Sequence, residues 1–206
     1  AHVDESEFRG LFARPDEPLV LFAGELLPAK GADLLPSLVA SLARQRVRWA
    51  IAGDGDLRGG LESELSGGEL AGVARFTGRV GPIALGALYQ VADLMVVPSR
   101  HEASGISVIE AKLYDLPVVA VVGGALREFP TDWLLPCSAD APRPRALAEG
   151  LSTALLHLPK RKARGPDDAR IPAEFRWESS GRRLGGLSER LRGLEGAARG
   201  RRMANA

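Results

Sequence analysis

The sequence has a single cysteine, Cys137, no long apolar run and almost no net charge. One cysteine excludes an intramolecular disulfide and a metal cluster held by thiolates. No window reaches the roughly 18 apolar residues of a membrane span, and the first residues lack the basic and apolar segments of a secretory signal. With 27 basic and 26 acidic residues, charge gives no reason to expect nucleic acid as a partner. We therefore expect a cytoplasmic protein without a membrane span.

What the sequence does contain is a regular alternation of short apolar runs and helical patterns. The runs predict strands at 19–24, 47–53, 73–78, 93–99, 117–123 and, more weakly, 132–137. Helical segments are predicted at 31–45, 57–66, 82–90, 104–114 and 143–157. Several runs are dense enough in branched residues to be buried on both faces, which is typical of a parallel sheet. The prediction is an α/β fold with a Rossmann-like, doubly wound parallel sheet over residues 18–158, and with ligands at the carboxyl ends of the strands.

The end of the chain has a different composition. Residues 159–172 join charge with proline and glycine and indicate an exposed linker or loop. Residues 173–206 follow as a last amphipathic helix with a frayed tail. We see no internal repeats.

The segment "PSRHEASGISVIEAKLYDLPVVA", residues 98–120, places two glutamates around a small-residue turn. Ser104 is a candidate N-cap, which would leave the amides of Gly105, Ile106 and Ser107 available to an anion such as phosphate. Glu110 lies about 9 Å further along such a helix, where its carboxylate suits a cis-diol. An ordinary capped helix with solvated carboxylates is the alternative for this segment taken alone.

Two glycine-containing turns follow the first two predicted strands. In "FAGELLPAKG", Lys30 precedes a helix. A lysine is mildly unfavourable at a helix N-terminus because of the helix dipole, so a bound anion that it neutralises would explain its position. A plain surface lysine is an equally compatible interpretation. In "AIAGDGDL", Gly53 and Gly55 fit a dinucleotide fingerprint poorly, because Arg58 occupies the place of its third glycine. Asp54 and its neighbour at 56 are more typical of a turn than of a metal site.

The ordered set "GELLPAKG", "IAGDGDL", "FTGRV", "LYQVADLMVVPSRHEASGISVIEAKLYDLPVVA" and "GALRE" resembles the C-terminal, donor-binding domain of retaining GT-B glycosyltransferases of family 4. Glu102 and Glu110 match the family's pair of glutamates separated by seven residues. The resemblance implies that the sheet is one half of a GT-B fold. It also implies that residues 1–17 are an inter-domain linker, and that the last helix corresponds to the one that packs on an N-terminal domain in the family.

The same resemblance implies the roles of individual residues. Lys30 would bind and stabilise the leaving diphosphate, and Glu102 would touch the donor sugar or lie beside the reacting centre; these are the expected catalytic residues. Glu110 would hold the ribose. No metal or other cofactor is implied, because the lysine and the helix dipole take the place of a metal. The remaining implied donor-binding residues are Gly24, Gly53, Gly55, Gly78, Arg79, Val80, Ser104, Gly105 and Ile106.

Two departures from the family pattern matter. Glu25 stands where the family usually has an arginine that binds the diphosphate, so Arg79, Arg100 or Arg127 must compensate, or Glu25 points away, or donor binding is weak. The acceptor-binding N-terminal domain is absent from the sequence and would have to be supplied in cis or in trans.

The expected function is therefore nucleotide-sugar binding in an enzyme, a hexosyltransferase that acts on a UDP-, GDP- or ADP-linked sugar, and the chain by itself is expected to be incomplete. The alternative is a non-catalytic nucleotide-binding or partner module that kept the fold. Neither the base, the sugar nor the acceptor follows from the sequence.

Overall fold

The computed structural model describes residues 5–100, 105–121, 133–135 and 144–158, all of which belong to the first of two compact units, residues 1–167. The helices and strands alternate along the chain as α1 (Glu5–Gly10), β1 (Leu19–Ala23), α2 (Leu35–Leu42), β2 (Arg48–Ala52), α3 (Arg58–Leu65), β3 (Ala74–Gly78), α4 (Pro82–Val91), β4 (Leu94–Val97), α5 (Ile106–Leu113), β5 (Val118–Val121), β6 (Trp133–Leu135) and α6 (Pro144–Leu156). No helix within these ranges is long and apolar enough to cross a membrane.

The six strands form one parallel sheet in the order β3-β2-β1-β4-β5-β6. From β1 the chain adds β2 and then β3 on one side. β4 pairs with the other side of β1, and β5 and β6 extend the sheet beyond β4. The strand order reverses between β1 and β4, and in doubly wound sheets the crevice at the carboxyl ends of such neighbours is where ligands bind. The predicted doubly wound, Rossmann-like parallel sheet is confirmed.

Alternating residues of β1, β2, β4 and β5 face two separate helical layers. Val20 and Phe22 of β1 pack with α2, α3 and α6, whereas Leu19 and Leu21 pack with α4 and α5. All four side chains are at most 3% exposed. Burial on both faces explains why β1, β4 and β5 appear in the sequence as unbroken apolar runs rather than as an alternating pattern.

The predicted elements are confirmed with two differences. The segment 31–45 is not one helix, because α2 is flanked by 3-10 turns at Ala32–Leu34 and Ala43–Gln45. Pro36, at the second position of α2, has no amide to continue a helix from the preceding turn. In addition, part of the expected linker 1–17 is the short helix α1. The predicted linker at 159–172 and the last helix lie outside the described residues.

A polar cluster joins the N-terminal segment to the starts of the strands. Arg9 of α1 is only 6% exposed, and it donates hydrogen bonds to the carbonyl oxygens of Val91 and Glu17 and to Asp93 Oδ2, at 2.6, 2.7 and 2.8 Å. Asp93 Oδ2 also accepts from the Leu19 amide at 2.8 Å. One buried guanidinium thus connects α1 and the end of α4 to the residues that directly precede β1 and β4. We call Arg9, Asp93, Glu17 and its partner Arg48 the strand-start cluster.

Glu17 is the most strongly perturbed carboxylate of this cluster. Its side chain accepts from Arg48 Nη2 at 2.9 Å and from the Arg14 amide at 3.0 Å, and these hydrogen bonds lower the pKa of Glu17 from 4.5 to about 2. Because this pKa is lowered on folding, the ionised group stabilises the fold above pH 4.5, and that contribution is lost as the pH falls toward 2.

We therefore expect Glu17 to account for up to about 3 kcal/mol of the stability lost between pH 5 and pH 2. Urea unfolding followed across this range should show a shallower pH dependence in Glu17→Gln than in the unmodified chain. Glu149→Gln is the matched control, since Glu149 pairs with Arg145 in an ion pair whose side chains are 65% and 91% exposed. Equal slopes in Glu17→Gln and the unmodified chain would show that the low pKa does not contribute to folding.

Candidate functional site

A cleft of about 470 Å³ lies at the carboxyl ends of β1, β2 and β4, where the strand order reverses. Its floor is made by the last residues of these strands and its sides by the loops and helices that follow them. The residues that line it are Phe22, Ala23, Gly24, Glu25, Lys30, Ala52, Gly53, Asp54, Arg79, Val80, Leu85, Tyr89, Val96, Val97, Pro98, Ser99, Ile106, Ser107 and Glu110.

The floor depends on a close approach between two strand ends. Gly53 follows β2 with φ at +143°, and a Cβ placed on it would lie 1.8 Å from the carbonyl oxygen of Gly24. The Gly24 amide donates to the carbonyl of Ala52 at 3.0 Å, and the Gly53 amide donates to that of Gly78 at 3.0 Å. Only glycine allows this backbone contact, so the absence of a side chain at 53 keeps the cleft open to the main chain.

Lys30 is presented to the cleft by a tight turn. Residues Pro28–Lys30 form a 3-10 turn that ends at Gly31 with φ at +71°, and a Cβ at Gly31 would lie 2.2 Å from the carbonyl oxygen of Pro98. The turn therefore lies directly on the backbone that follows β4. This contact fixes the base of the Lys30 side chain relative to the sheet.

Arg100 fastens the same two loops together. Its amide donates to the Ala29 carbonyl at 3.0 Å, and its guanidinium donates to the Pro28 carbonyl and to both oxygens of Asp33, at 2.6 and 2.8 Å. A bidentate guanidinium–carboxylate pair is geometrically specific. Arg100 is thus engaged in holding the loops and does not line the cleft, which removes it from the arginines expected to compensate for Glu25; Arg127 lies outside the described residues.

Helix α5 directs its first turn and one glutamate into the cleft. The structure places the N-cap at Gly105, with φ at +56° and no side-chain cap, rather than at Ser104 as predicted. Ile106 and Ser107 of the first turn line the cleft, and so does Glu110 one turn later. The Tyr89 hydroxyl donates to Glu110 Oε2 at 2.9 Å. Glu102 and Ser104 lie outside the described residues.

The described lining carries charges of both signs. Lys30 and Arg79 are its cations, and Glu25, Asp54 and Glu110 are its carboxylates. Asp54 Oδ1 accepts from the Gly55 amide at 2.9 Å, and its Oδ2 accepts from Arg58 at 3.2 Å, as expected for a turn residue. Within the part of the chain that is described, there is no group of three or more His, Cys, Asp or Glu side chains able to hold a metal ion.

The cleft brings together most of the predicted site residues that are described. Gly24, Lys30, Gly53, Arg79, Val80, Ile106 and Glu110 all line it. Gly55, Gly78 and Gly105 shape the adjacent backbone without lining it. The sequence motifs did not indicate that Tyr89 belongs to the site. Its sequence signal is its position on the face of α4 that turns toward the sheet.

A model of the family described as "Glycosyl transferases group 1" matches residues 3–167. The chain belongs to this family. It is 29% identical over 172 residues to a D-inositol 3-phosphate glycosyltransferase from Segniliparus rotundus, an alignment that covers 81% of this chain and 38% of the relative.

Solved structures of glycosyltransferases share the fold. Sucrose-phosphate synthase from Thermosynechococcus elongatus superposes with a TM-score of 0.64 at 27% identity, covering 87% of this chain and 46% of that one. HepE from Anabaena, solved in complex with UDP and glucose, superposes with a TM-score of 0.61 at 22% identity, covering 74% of this chain and 42% of HepE. The chain corresponds to one half of a GT-B fold, and it spans less than half the length of these relatives.

Proposed function

We propose that this chain is the nucleotide-sugar-binding part of a retaining glycosyltransferase that moves a hexose from a nucleoside diphosphate to an acceptor. The observation that carries the proposal is the cleft at the switch point of the sheet, which gathers Lys30, the first turn of α5 and Glu110 in one place. A cation and a helix N-terminus suit a diphosphate, and a carboxylate suits the neighbouring ribose. That HepE was solved with UDP and glucose supports this ligand class.

In this proposal the diphosphate is the leaving group. Negative charge develops on it as the bond to the sugar breaks, and a preorganised cation in a cleft with low water content stabilises that charge. Lys30 is well placed for the role, because Gly31 and Pro98 fix its turn against the sheet. Glu102, which lies outside the described residues, is the proposed group beside the reacting centre.

The acceptor requires a second domain. A GT-B site closes between two domains, and closure excludes water from the reaction. The chain spans 38% of the inositol-phosphate enzyme and 46% of sucrose-phosphate synthase, so we propose that an N-terminal GT-B domain, in cis or in trans, completes the enzyme. We expect donor binding but no sugar transfer by the chain alone.

Glu25 favours a second candidate function, a non-catalytic nucleotide-binding module that kept the fold but lost part of the affinity for the donor. This carboxylate lines the same cleft as Lys30 and would repel a diphosphate bound there. Arg79 is the other described cation of the lining, and we propose that its charge offsets the repulsion between Glu25 and the diphosphate. The two candidates differ in whether the chain binds a nucleotide sugar or only the nucleotide.

Calorimetric titration of the chain with UDP, GDP, ADP and their glucose conjugates tests both candidates. We expect one nucleotide family to bind, with Lys30→Ala weakening the diphosphate about 10- to 100-fold and leaving the corresponding nucleoside unchanged, because a charge-assisted hydrogen bond to phosphate is lost. Lys112→Ala is the matched control, since Lys112 lies in the last turn of α5 and does not line the cleft.

The outcomes separate cleanly. Binding of a nucleotide sugar supports the transferase, and binding of the nucleotide without its sugar conjugate supports the module. No binding by any of these compounds at millimolar concentration would overturn both.

A further inference from the structure

Tyr89 is a buried tyrosine whose hydroxyl reaches the candidate site. The residue lies on α4, is 2% exposed, and donates its hydroxyl hydrogen to Glu110 Oε2 at 2.9 Å. A buried tyrosine normally finds a hydrogen-bond partner. Here the partner is a carboxylate of the cleft on a different helix, so the bond links α4 to the ligand-facing side of α5.

The ring of Tyr89 is itself held in place. It stacks on Tyr114 with centroids 5.8 Å apart and planes inclined by 29°. The Tyr114 ring in turn lies against α4, since a Cβ placed on Gly86 would stand 2.5 Å from the Tyr114 hydroxyl oxygen. The donor is therefore attached to packed structure and not to a mobile side chain.

Glu110 gains a defined position from this bond. A glutamate side chain has three rotatable bonds and loses rotamer freedom when it is held for a ligand. With Oε2 occupied by a fixed hydroxyl, the remaining acceptor sites of the carboxylate are directed in advance toward the cleft that Glu110 and Tyr89 both line.

Burial, together with the charge of Glu110, raises the pKa of Tyr89 far above its ordinary value. The phenol accordingly stays protonated and remains a donor at every pH at which the protein would be assayed.

We propose that Tyr89 is a positioning residue that holds the Glu110 carboxylate for the 2′- and 3′-hydroxyls of the nucleotide's ribose, an inference that rests on the proposed function. Tyr89 does not bind the nucleotide itself. It makes the site selective for a ribonucleotide over a deoxyribonucleotide, by fixing the acceptor that reads the sugar hydroxyls.

The test compares a nucleoside diphosphate with its 2′,3′-dideoxy analogue by calorimetry, using whichever of UDP, GDP and ADP binds the chain most tightly. We expect the unmodified chain to prefer the ribonucleotide. Tyr89→Phe keeps the stacked ring and removes the hydroxyl, so it should weaken the ribonucleotide about 3- to 10-fold and leave the dideoxy analogue unchanged. The measured quantity is the ratio of the affinity for the ribonucleotide to the affinity for its dideoxy analogue. A change in this ratio distinguishes a positioning role from general damage to the fold, which would weaken the binding of both ligands alike.

Two further variants complete the experiment. Tyr114→Phe removes a hydroxyl from the same stack without touching the bond to Glu110, and it should preserve the ratio. Glu110→Asp shortens the side chain by one methylene and should also lower the ratio, which checks that Glu110 itself contacts the ribose hydroxyls. Should Tyr89→Phe melt at a lower temperature, its titrations are made below that transition.

A nucleotide that binds with an unchanged ratio in Tyr89→Phe overturns the positioning role, whatever Glu110→Asp does, and leaves the proposed function intact. A chain that binds no nucleotide overturns both.

Discussion

Replacing Arg9 by methionine is expected to lower the free energy of unfolding by about 3 to 5 kcal/mol. The Arg9 side chain is 8% exposed, and its guanidinium donates hydrogen bonds to two carbonyl oxygens and one carboxylate. Methionine fills a similar volume but donates no hydrogen bond, so Asp93 would keep its charge at a side-chain exposure of 14% with the Leu19 amide as its described partner. Uncompensated buried charge is among the costliest single defects in a folded protein.

Urea denaturation followed by circular dichroism measures this loss. Arg145→Met is the matched control, because the same substitution there removes an ion pair with Glu149 in which the two side chains are 91% and 65% exposed. That variant should lose less than about 1 kcal/mol. If Arg9→Met were as mild as Arg145→Met, the strand-start cluster would not be a source of stability.

Replacing Gly53 by alanine is expected to cost about 3 kcal/mol or more and to abolish nucleotide binding. The new Cβ would meet the Gly24 carbonyl oxygen at 1.8 Å, and this oxygen belongs to the backbone, so no side-chain rotation relieves the contact. The ends of β1 and β2 must separate instead, which changes the floor of the cleft. The φ of +143° adds strain for any residue that has a side chain.

Gly59→Ala is the control for this substitution. Gly59 lies in α3, and a Cβ built on it meets nothing within 4 Å. Alanine favours a helix more than glycine does, so this variant should gain about 0.5 to 1 kcal/mol. The melting temperatures of the two variants should therefore shift in opposite directions, whereas nucleotide binding should be lost in Gly53→Ala and unchanged in Gly59→Ala. A Gly53→Ala chain that binds nucleotide normally would contradict the described floor.

The strands and the position of the cleft could be predicted because their signals are local. A strand buried on both faces is an apolar run, as at Leu19–Ala23, and a parallel sheet presents its ligand at the carboxyl ends. The glycines after β1 and β2 and the lysine before Gly31 are visible as short motifs with a physical reason for each residue type.

The strand-start cluster could not be predicted, because its contacts are not local. Arg9 pairs with Asp93, which lies 84 positions away in the sequence. The same holds in the cleft, where Tyr89 and Glu110 are 21 positions apart. Nothing in a short window distinguishes Arg9 from a solvated arginine in an inter-domain linker, which is the structure that the resemblance predicts for residues 1–17. Likewise, Arg100 is indistinguishable in sequence from a phosphate ligand until Asp33 is brought beside it by the fold.

The strand-start cluster and the cleft lie at opposite ends of the same strands, because Glu17 and Asp93 precede β1 and β4 whereas Gly24 and Pro98 follow them. The contacts of the strand-start cluster and the lining of the cleft are thereby separated along each strand. Substitutions in the cleft can change which ligand fits while the cluster at the other end continues to stabilise the fold. A scaffold of this kind can therefore diverge in its ligand without a matching loss of stability.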